Sequence, residues 1–290
     1  MDADVLFEGI ARGEFHRADA LKCADLFTLD PSFYSALTDE LNCLVSRNAP
    51  SEVQAKDHPS NWTRPTGKAI QFSLFNESGD FADSSGIGSI AMEGKRFHHA
   101  AIYPALADFV AMFPHLINMR LNGLGAHGGL APHKVNSCWW QGRRWYFTVR
   151  FHLPIVTNPQ ALVLLDGDLF HFQPGRVYFF HNGCIHSAYN GGETERFHLI
   201  WDMLLTQETI DRMFGDESYP PLMRTPGESR AVPIVKSVEV EEFEVLAARQ
   251  HYERLRLHRL NVDPRKWGLF YLRCRYAWYR LGRPSVATIE

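Results

Sequence analysis

Apolar residues change their spacing part-way along the chain. In residues 1–56 they recur at three- and four-residue steps, as in ADVLFEGIARGEF and DPSFYSALTDELNCLVSR, which predicts a mostly helical region. The second segment opens with Asp30-Pro31, an N-cap followed by proline at the first helical position. Residues 57–67 (DHPSNWTRPTG) form a turn-rich connector, KAIQFSLF a strand, NESGDFADSSGIG a polar loop, and residues 99–113 a helix that Pro104 starts or kinks. From about residue 115 short apolar runs alternate with turn signals: LINMRLNGL, RRWYFTVRFHLPIV, ALVLLDGD, LFHFQPG, RVYFFHNG, SAYNGG and RFHLIWDMLL. Many strand-length runs, rich in Val, Ile, Phe and Tyr and closed by Gly, Pro, Asn or Asp, predict a sandwich or closed jelly roll. After Pro233, VKSVEVEEFEVLAARQHYERLRLHRL reads as a linker into a helix, and WGLFYLRCRYAWYRLGR as another helix. The expected organisation is a helical region at 1–66, a β core at 67–205 and a helical extension at 206–290.

Composition narrows the function classes. The 290 residues carry 45% hydrophobic and 22% charged side chains, enough for a soluble core without disulfides or metal clips. A net charge of −3 gives no general pull toward nucleic acid or anionic membrane, so a small molecule or peptide is the expected partner. No stretch reaches the ~20 apolar residues that span a bilayer, and the acidic start does not read as a signal peptide. Five scattered cysteines with no CxxC pair suggest reduced thiols and a cytoplasmic location. GxGxxG, P-loop and GxSxG patterns are absent, and Gly123-Leu124-Gly125 reads as a loop.

Ten of the 14 histidines lie between His98 and His198, which invites a search for ligand geometry. His133 follows Pro132 after a glycine-rich turn, His186 follows FFHNGCI at the end of a strand, and Arg196 comes ten residues later at the start of RFHLIWDM. In an antiparallel barrel a turn-linked strand pair lets His186 and Arg196 face one interior. Imidazole suits a transition metal, and a buried carboxylate calls for a permanent cation with a planar fork. The plainer alternative makes Arg196 a surface residue paired with Glu193 or Glu195.

Taken together, QFSLF at 71–75, APH ending at His133, VRFHLPI with Arg150 and His152, PGRVYFFHNGCIHSA and ERFHLIWD resemble one known family. It is the aspartyl/asparaginyl β-hydroxylase-like branch of the Fe(II)- and 2-oxoglutarate-dependent dioxygenases, which also contains cis-proline hydroxylases. The resemblance covers roughly 70–205 and implies a mainly β fold: a double-stranded β-helix (jelly roll, cupin-like) core with helical N- and C-terminal additions. It implies His133 and His186 as iron ligands and Arg196 as partner of the distal 2-oxoglutarate carboxylate. Arg150 and His152 fall near the other end of the cosubstrate, and Asn122 at an assisting polar position. The implied reaction uses Fe(II), 2-oxoglutarate and O₂ to hydroxylate an amino acid, a peptidyl residue or an amino-acid-like natural-product intermediate.

One departure from the wider superfamily stands out. Where most members read His-x-Asp or His-x-Glu at the first ligand, this chain reads His133-Lys134-Val135, and valine cannot bind metal. The β-hydroxylase branch often leaves that position to water, and Asn182 falls where it can hold an acid supporting the water. His181, His171 and Asp168 remain as stand-in ligands. The missing carboxylate keeps two alternatives open: a non-haem iron halogenase of the same fold, for which Val135 is bulky, and a non-catalytic cupin-like binding protein. The insertion SCWWQGRRWY (137–146), with Trp139, Trp140, Trp145, Arg143 and Arg144, reads as a substrate lid or as a hairpin packed on the core. The aromatic C-terminal helices read as a homodimer face, a substrate cap or a packed helix.

Overall fold

The computed structural model describes residues 5–6, 8–10, 19–52, 61–63, 69–133, 135, 137–141 and 144–235. Strand β1 (Cys23–Leu29) leads into helix α1 (Pro31–Arg47), then β2 (Ser51–Glu52), β3 (Asn61–Thr63), β4 (Ala69–Ser73) and helix α2 (Pro104–Ala111). The strand-rich part follows as β5 (Leu116–Leu124), β6 (Gly128–His133), β7 (Cys138–Gln141), β8 (Arg144–Val156), β9 (Ala161–Leu165) and β10 (Asp168–Phe170). It closes with β11 (Arg176–Phe180), β12 (His186–Asn190), β13 (Arg196–Leu204), helix α3 (Gln207–Phe214) and β14 (Leu222–Met223).

Two antiparallel sheets result. The larger runs β14-β1-β11-β8-β13-β5-β4-β2, with β7 hairpinned onto β8, and the smaller runs β10-β9-β12-β6-β3. From β5 onward the chain repeatedly passes from one sheet to the other: β5 large, β6 small, β8 large, β9 and β10 small, β11 large, β12 small, β13 large. That alternation makes the core a jelly roll, as the strand spacing and the resemblance implied.

Helix α1 starts where its sequence dictates. The Asp30 carboxylate accepts the backbone N–H groups of Ser32 (3.0 Å) and Phe33 (3.1 Å), and Pro31 follows at the first helical position. Leu37, Leu41 and Leu44 form its buried stripe. They join Leu106 and Phe109 of α2 and Phe214 of α3 in one cluster with the outward side chains of the large sheet. Strand β13 is buried along its whole length because helices cover one face and the barrel interior the other.

Three expectations need correction. Residues 23–29, read within a helical stretch, are strand β1, pairing antiparallel with β11. Their inward and outward positions alternate, and the open edge of β11 supplies the hydrogen bonds, so tertiary pairing overrides the local pattern. Gly123, read as loop, lies inside β5 opposite Phe197. It is glycine because a Cβ there would meet Phe197 Cε1 at 2.5 Å and Ile70 Cγ1 at 2.8 Å. In the C-terminal extension the described part is α3, β14 and irregular chain, and the helices expected after Pro233 lie outside the described residues. Among the described residues no helix is long and apolar enough to cross a membrane.

Candidate active site

Alternation along three neighbouring strands builds the site. On β13, Phe197, Leu199, Trp201 and Met203 pack into the helix-covered cluster, so Arg196, Ile200 and Asp202 point the other way and line the interior. On β8, Phe147, Val149, Phe151 and Leu153 face the helices and Thr148, Arg150 and His152 the interior. On β5, Met119 and Leu121 face outward and Asn118, Arg120 and Asn122 inward. These side chains line a cavity of about 640 Å³ whose opposite wall carries His133 and His186.

His133, at the end of β6, and His186, at the start of β12, are directly opposed in the antiparallel register. Their ring centroids lie 4.2 Å apart with planes tilted by 55°. His186 is buried, and its Nδ1 meets the Cys184 carbonyl oxygen at 2.9 Å, which makes Nδ1 the protonated nitrogen and turns the Nε2 lone pair toward the cavity. Burial, with His133 beside it, holds the His186 imidazole neutral, its pKa well below the ordinary value. A neutral imidazole with its far nitrogen already donating is the form that binds a metal.

Arg196 is 3% exposed and has no carboxylate partner among the described residues. The surface pairing is thereby excluded: Glu193 instead meets His127 at 3.0 Å. Burial alone pulls the guanidinium down to about 9, so it remains a cation at neutral pH. A desolvated, unpaired guanidinium costs several kcal/mol unless an anion meets it. Among the described residues it donates from Nη2 to His198 Nδ1 at 2.7 Å. The acceptor role fixes His198 as neutral with its proton on Nε2, in agreement with the strong lowering of its pKa by burial and by Arg196.

The expected helpers reach the same cavity in different states. His152 is buried with neither ring nitrogen hydrogen-bonded, and Asn122 Oδ1 is buried without a partner. Each such atom costs about 1–3 kcal/mol, a debt usually resolved by a water or a polar ligand. Arg150, which the resemblance sets near the other end of the cosubstrate, lines the cavity as an ion-paired cation. Its Nε and Nη2 hold the two oxygens of Asp202 at 2.7 and 2.9 Å, because Asp202 sits opposite it in the β13–β8 register.

None of the stand-in ligands points at the imidazole pair. His181 uses Nε2 on the Ile10 carbonyl and Nδ1 on the Gly183 N–H, His171 binds the Ala161 carbonyl, and Asp168 pairs with Lys22. Val135 and Asn182 both line the cavity, so neutral side chains flank the imidazoles. Among the described residues no group of three His, Cys, Asp or Glu converges as a metal cage. The insertion forms the β7–β8 hairpin, and Trp139 lines the cavity.

The donor set fits Fe(II) and a keto diacid. Two imidazoles on adjacent strands leave most of a metal's coordination positions open, and the facing sheet carries a buried guanidinium that has no carboxylate partner among the described residues. Two groups escaped the sequence reading. His198 completes a second Arg-Phe-His-Leu, at 196–199, matching the one at 150–153, and this doubling is the signal that marks it. The Asn118–Arg120–Asp202 cluster needed the strand register to appear.

The family model for aspartyl/asparaginyl beta-hydroxylase matches residues 90–205, a span holding both imidazoles, Asn122, Arg150, His152 and Arg196. Over this segment the chain is similar to the aspartyl/asparaginyl β-hydroxylases. No curated protein matches the chain. Among solved structures, the chain is similar to a Trichoplax adhaerens prolyl hydroxylase in complex with a hypoxia inducible factor oxygen degradation domain peptide fragment. The two are 11% identical over 69% of this chain and 88% of that one, with a TM-score of 0.42. HygX from Streptomyces hygroscopicus, with nickel and 2-oxoglutarate bound, is 11% identical over 72% and 93%, at 0.36. A predicted oxalate decarboxylase from Thermotoga maritima is 14% identical over 55% and 96%, at 0.31. At such scores these likenesses decide neither the fold nor the chemistry.

Proposed function

We propose that the protein is a Fe(II)- and 2-oxoglutarate-dependent oxygenase that hydroxylates an amino acid, a peptidyl residue or an amino-acid-like small molecule. One observation carries the reading: Arg196, a buried cation without a carboxylate, lines the same cavity as the opposed His133 and His186. His133 and His186 would hold the iron, and Arg196 the distal carboxylate of 2-oxoglutarate. When bound, iron with 2-oxoglutarate supplies the oxidation of a C–H bond by O₂, coupled to conversion of the cosubstrate to succinate and CO₂.

The chain's own part is orientation and exclusion of water. His198 accepts from Arg196 and so fixes the plane of its fork. Asn122 and His152 have hydrogen-bonding capacity left for the cosubstrate, and Arg150 keeps Nη1 for it. Ile87, Ile90, Leu130, Val163 and Phe180 line the rest of the wall with apolar surface that keeps bulk water from the reacting centre. A cytoplasmic location goes with this reading, supported by Cys23, Cys43 and Cys184 standing outside any disulfide.

The test is succinate formation from 2-oxoglutarate with Fe(II) under air, with His186→Ala as control. Iron-dependent succinate that disappears in the variant is expected. No iron-dependent turnover with any amino acid or peptide offered would leave a binding protein that kept the barrel without its chemistry.

A further inference from the structure

Away from Arg196, the same cavity has a second cationic pole. Arg150 grips Asp202 through Nε and Nη2, and Arg120 reaches the same carboxylate through Nη1 at 3.5 Å while donating to Asn118 Oδ1 at 2.7 Å. Two guanidiniums thus share one carboxylate, leaving one positive charge in surplus. Arg120 lies opposite Ile200, four residues along β13 from Arg196, a backbone separation of roughly 13 Å at ~3.3 Å per residue. Its side chain is 6% exposed, yet Nε and Nη2 have no acceptor among the described residues and are not sealed from the cavity that Arg120 lines.

The wall beside this pole is pinned. The buried Lys95 ammonium donates to the carbonyls of Gly86 (3.0 Å), Ser89 (3.2 Å) and Ile117 (3.2 Å), clamping the segment whose Ile87 carbonyl meets Asn118 Nδ2 at 3.5 Å. A surplus of one charge in a planar fork matches a monoanionic carboxylate better than a phosphate dianion. A pinned wall beyond the fork suits a molecule that ends at its carboxylate, not a peptide chain that continues past it.

We infer that Arg120 binds the free carboxylate of the substrate, so that the protein acts on a small amino-acid-type carboxylic acid rather than on a residue inside a peptide. This rests on the oxygenase reading, and the experiment separates the two. Wild type and Arg120→Met are loaded anaerobically with Fe(II) and 2-oxoglutarate, and the visible charge-transfer band of the chelate is recorded for both. Succinate formation under air is then measured with a pool of the twenty free L-amino acids and with the same pool as carboxamides. The acids should stimulate wild type while the amides do not, and Arg120→Met should lose at least tenfold of the stimulation with the band present. Amides equal to acids, stimulation unchanged in the variant, or no stimulation of wild type by either pool would overturn the assignment of Arg120. Absence of the band in wild type would overturn the oxygenase reading instead. The wild-type comparison of acids with amides does not depend on the variant folding.

Discussion

Arg196→Met separates stability from ligand binding in a way that a structural arginine would not. Arg196 is a buried cation that donates to His198 and, among the described residues, meets no carboxylate to offset its desolvation. Replacing a buried ionic group by an apolar side chain of similar length is often neutral or stabilising by about 1–4 kcal/mol. Leaving His198 Nδ1 without its donor takes back about 1–3 kcal/mol. The two terms offset each other, so the ligand-free variant should melt within a few degrees of wild type, at ~2–4 °C per kcal/mol for a domain of this size. Affinity should fall far more. A two-pronged guanidinium–carboxylate contact at about 1.5–3 kcal/mol per bond is worth roughly 3–6 kcal/mol, or about a hundred- to ten-thousand-fold in 2-oxoglutarate affinity. Calorimetric titration of 2-oxoglutarate into the iron-loaded protein reads the second quantity, and thermal unfolding without metal or cosubstrate reads the first. Wild type should also gain about 2.7 kcal/mol of stability at a hundredfold excess over the dissociation constant, a gain the variant lacks at the same concentration. A variant that unfolds several degrees lower when empty, and still binds 2-oxoglutarate within threefold of wild type, would show that Arg196 serves packing and not an anion.

Other consequences can be checked as directly. His152 and His198 are held neutral by burial and by the nearby guanidiniums, their folded pKa values well below the usual 6.5. The unfolded chain takes up protons that the folded one refuses, so stability is intact above pH 6.5 and falls as the pH drops below it. The slope is about 1.4 kcal/mol per unit for each histidine, and a flat denaturation midpoint between pH 6.5 and 5.5 would contradict it. Gly123→Ala must displace Phe197 or Ile70, and should cost about 1–3 kcal/mol in urea denaturation. Lys95→Met leaves the Gly86, Ser89 and Ile117 carbonyls without their shared donor, and limited proteolysis should then cut within residues 84–90 faster than in wild type.

The sequence carried the jelly roll in its turn-punctuated strand runs, and the step from His186 to Arg196 pointed to two residues that line one cavity. Strand alternation is a local property: an Arg-x-His on a strand puts both side chains on one face whatever the rest of the fold does. What it hid were facts of register. That Asp202 stands opposite Arg150, and so pairs with its guanidinium, depends on how β13 slides against β8. That Arg196 is not paired with a neighbouring glutamate depends on the burial of the first residue of β13, which composition cannot show. Strand β1 was missed for a related reason, since its hydrogen-bond partner β11 lies about 150 residues away.

The claim on which the rest depends is that two imidazoles and one guanidinium serve a single ligand complex. An anaerobic spectroscopic titration of 2-oxoglutarate into the Fe(II)-loaded protein tests it most directly, since the visible charge-transfer absorption arises only when the keto acid chelates the iron. Wild type should develop the band at stoichiometric iron, His133→Ala and His186→Ala should not, and Arg196→Met should need far more 2-oxoglutarate to reach it. A wild-type protein that shows no band, or a band that survives loss of either histidine, would contradict the account.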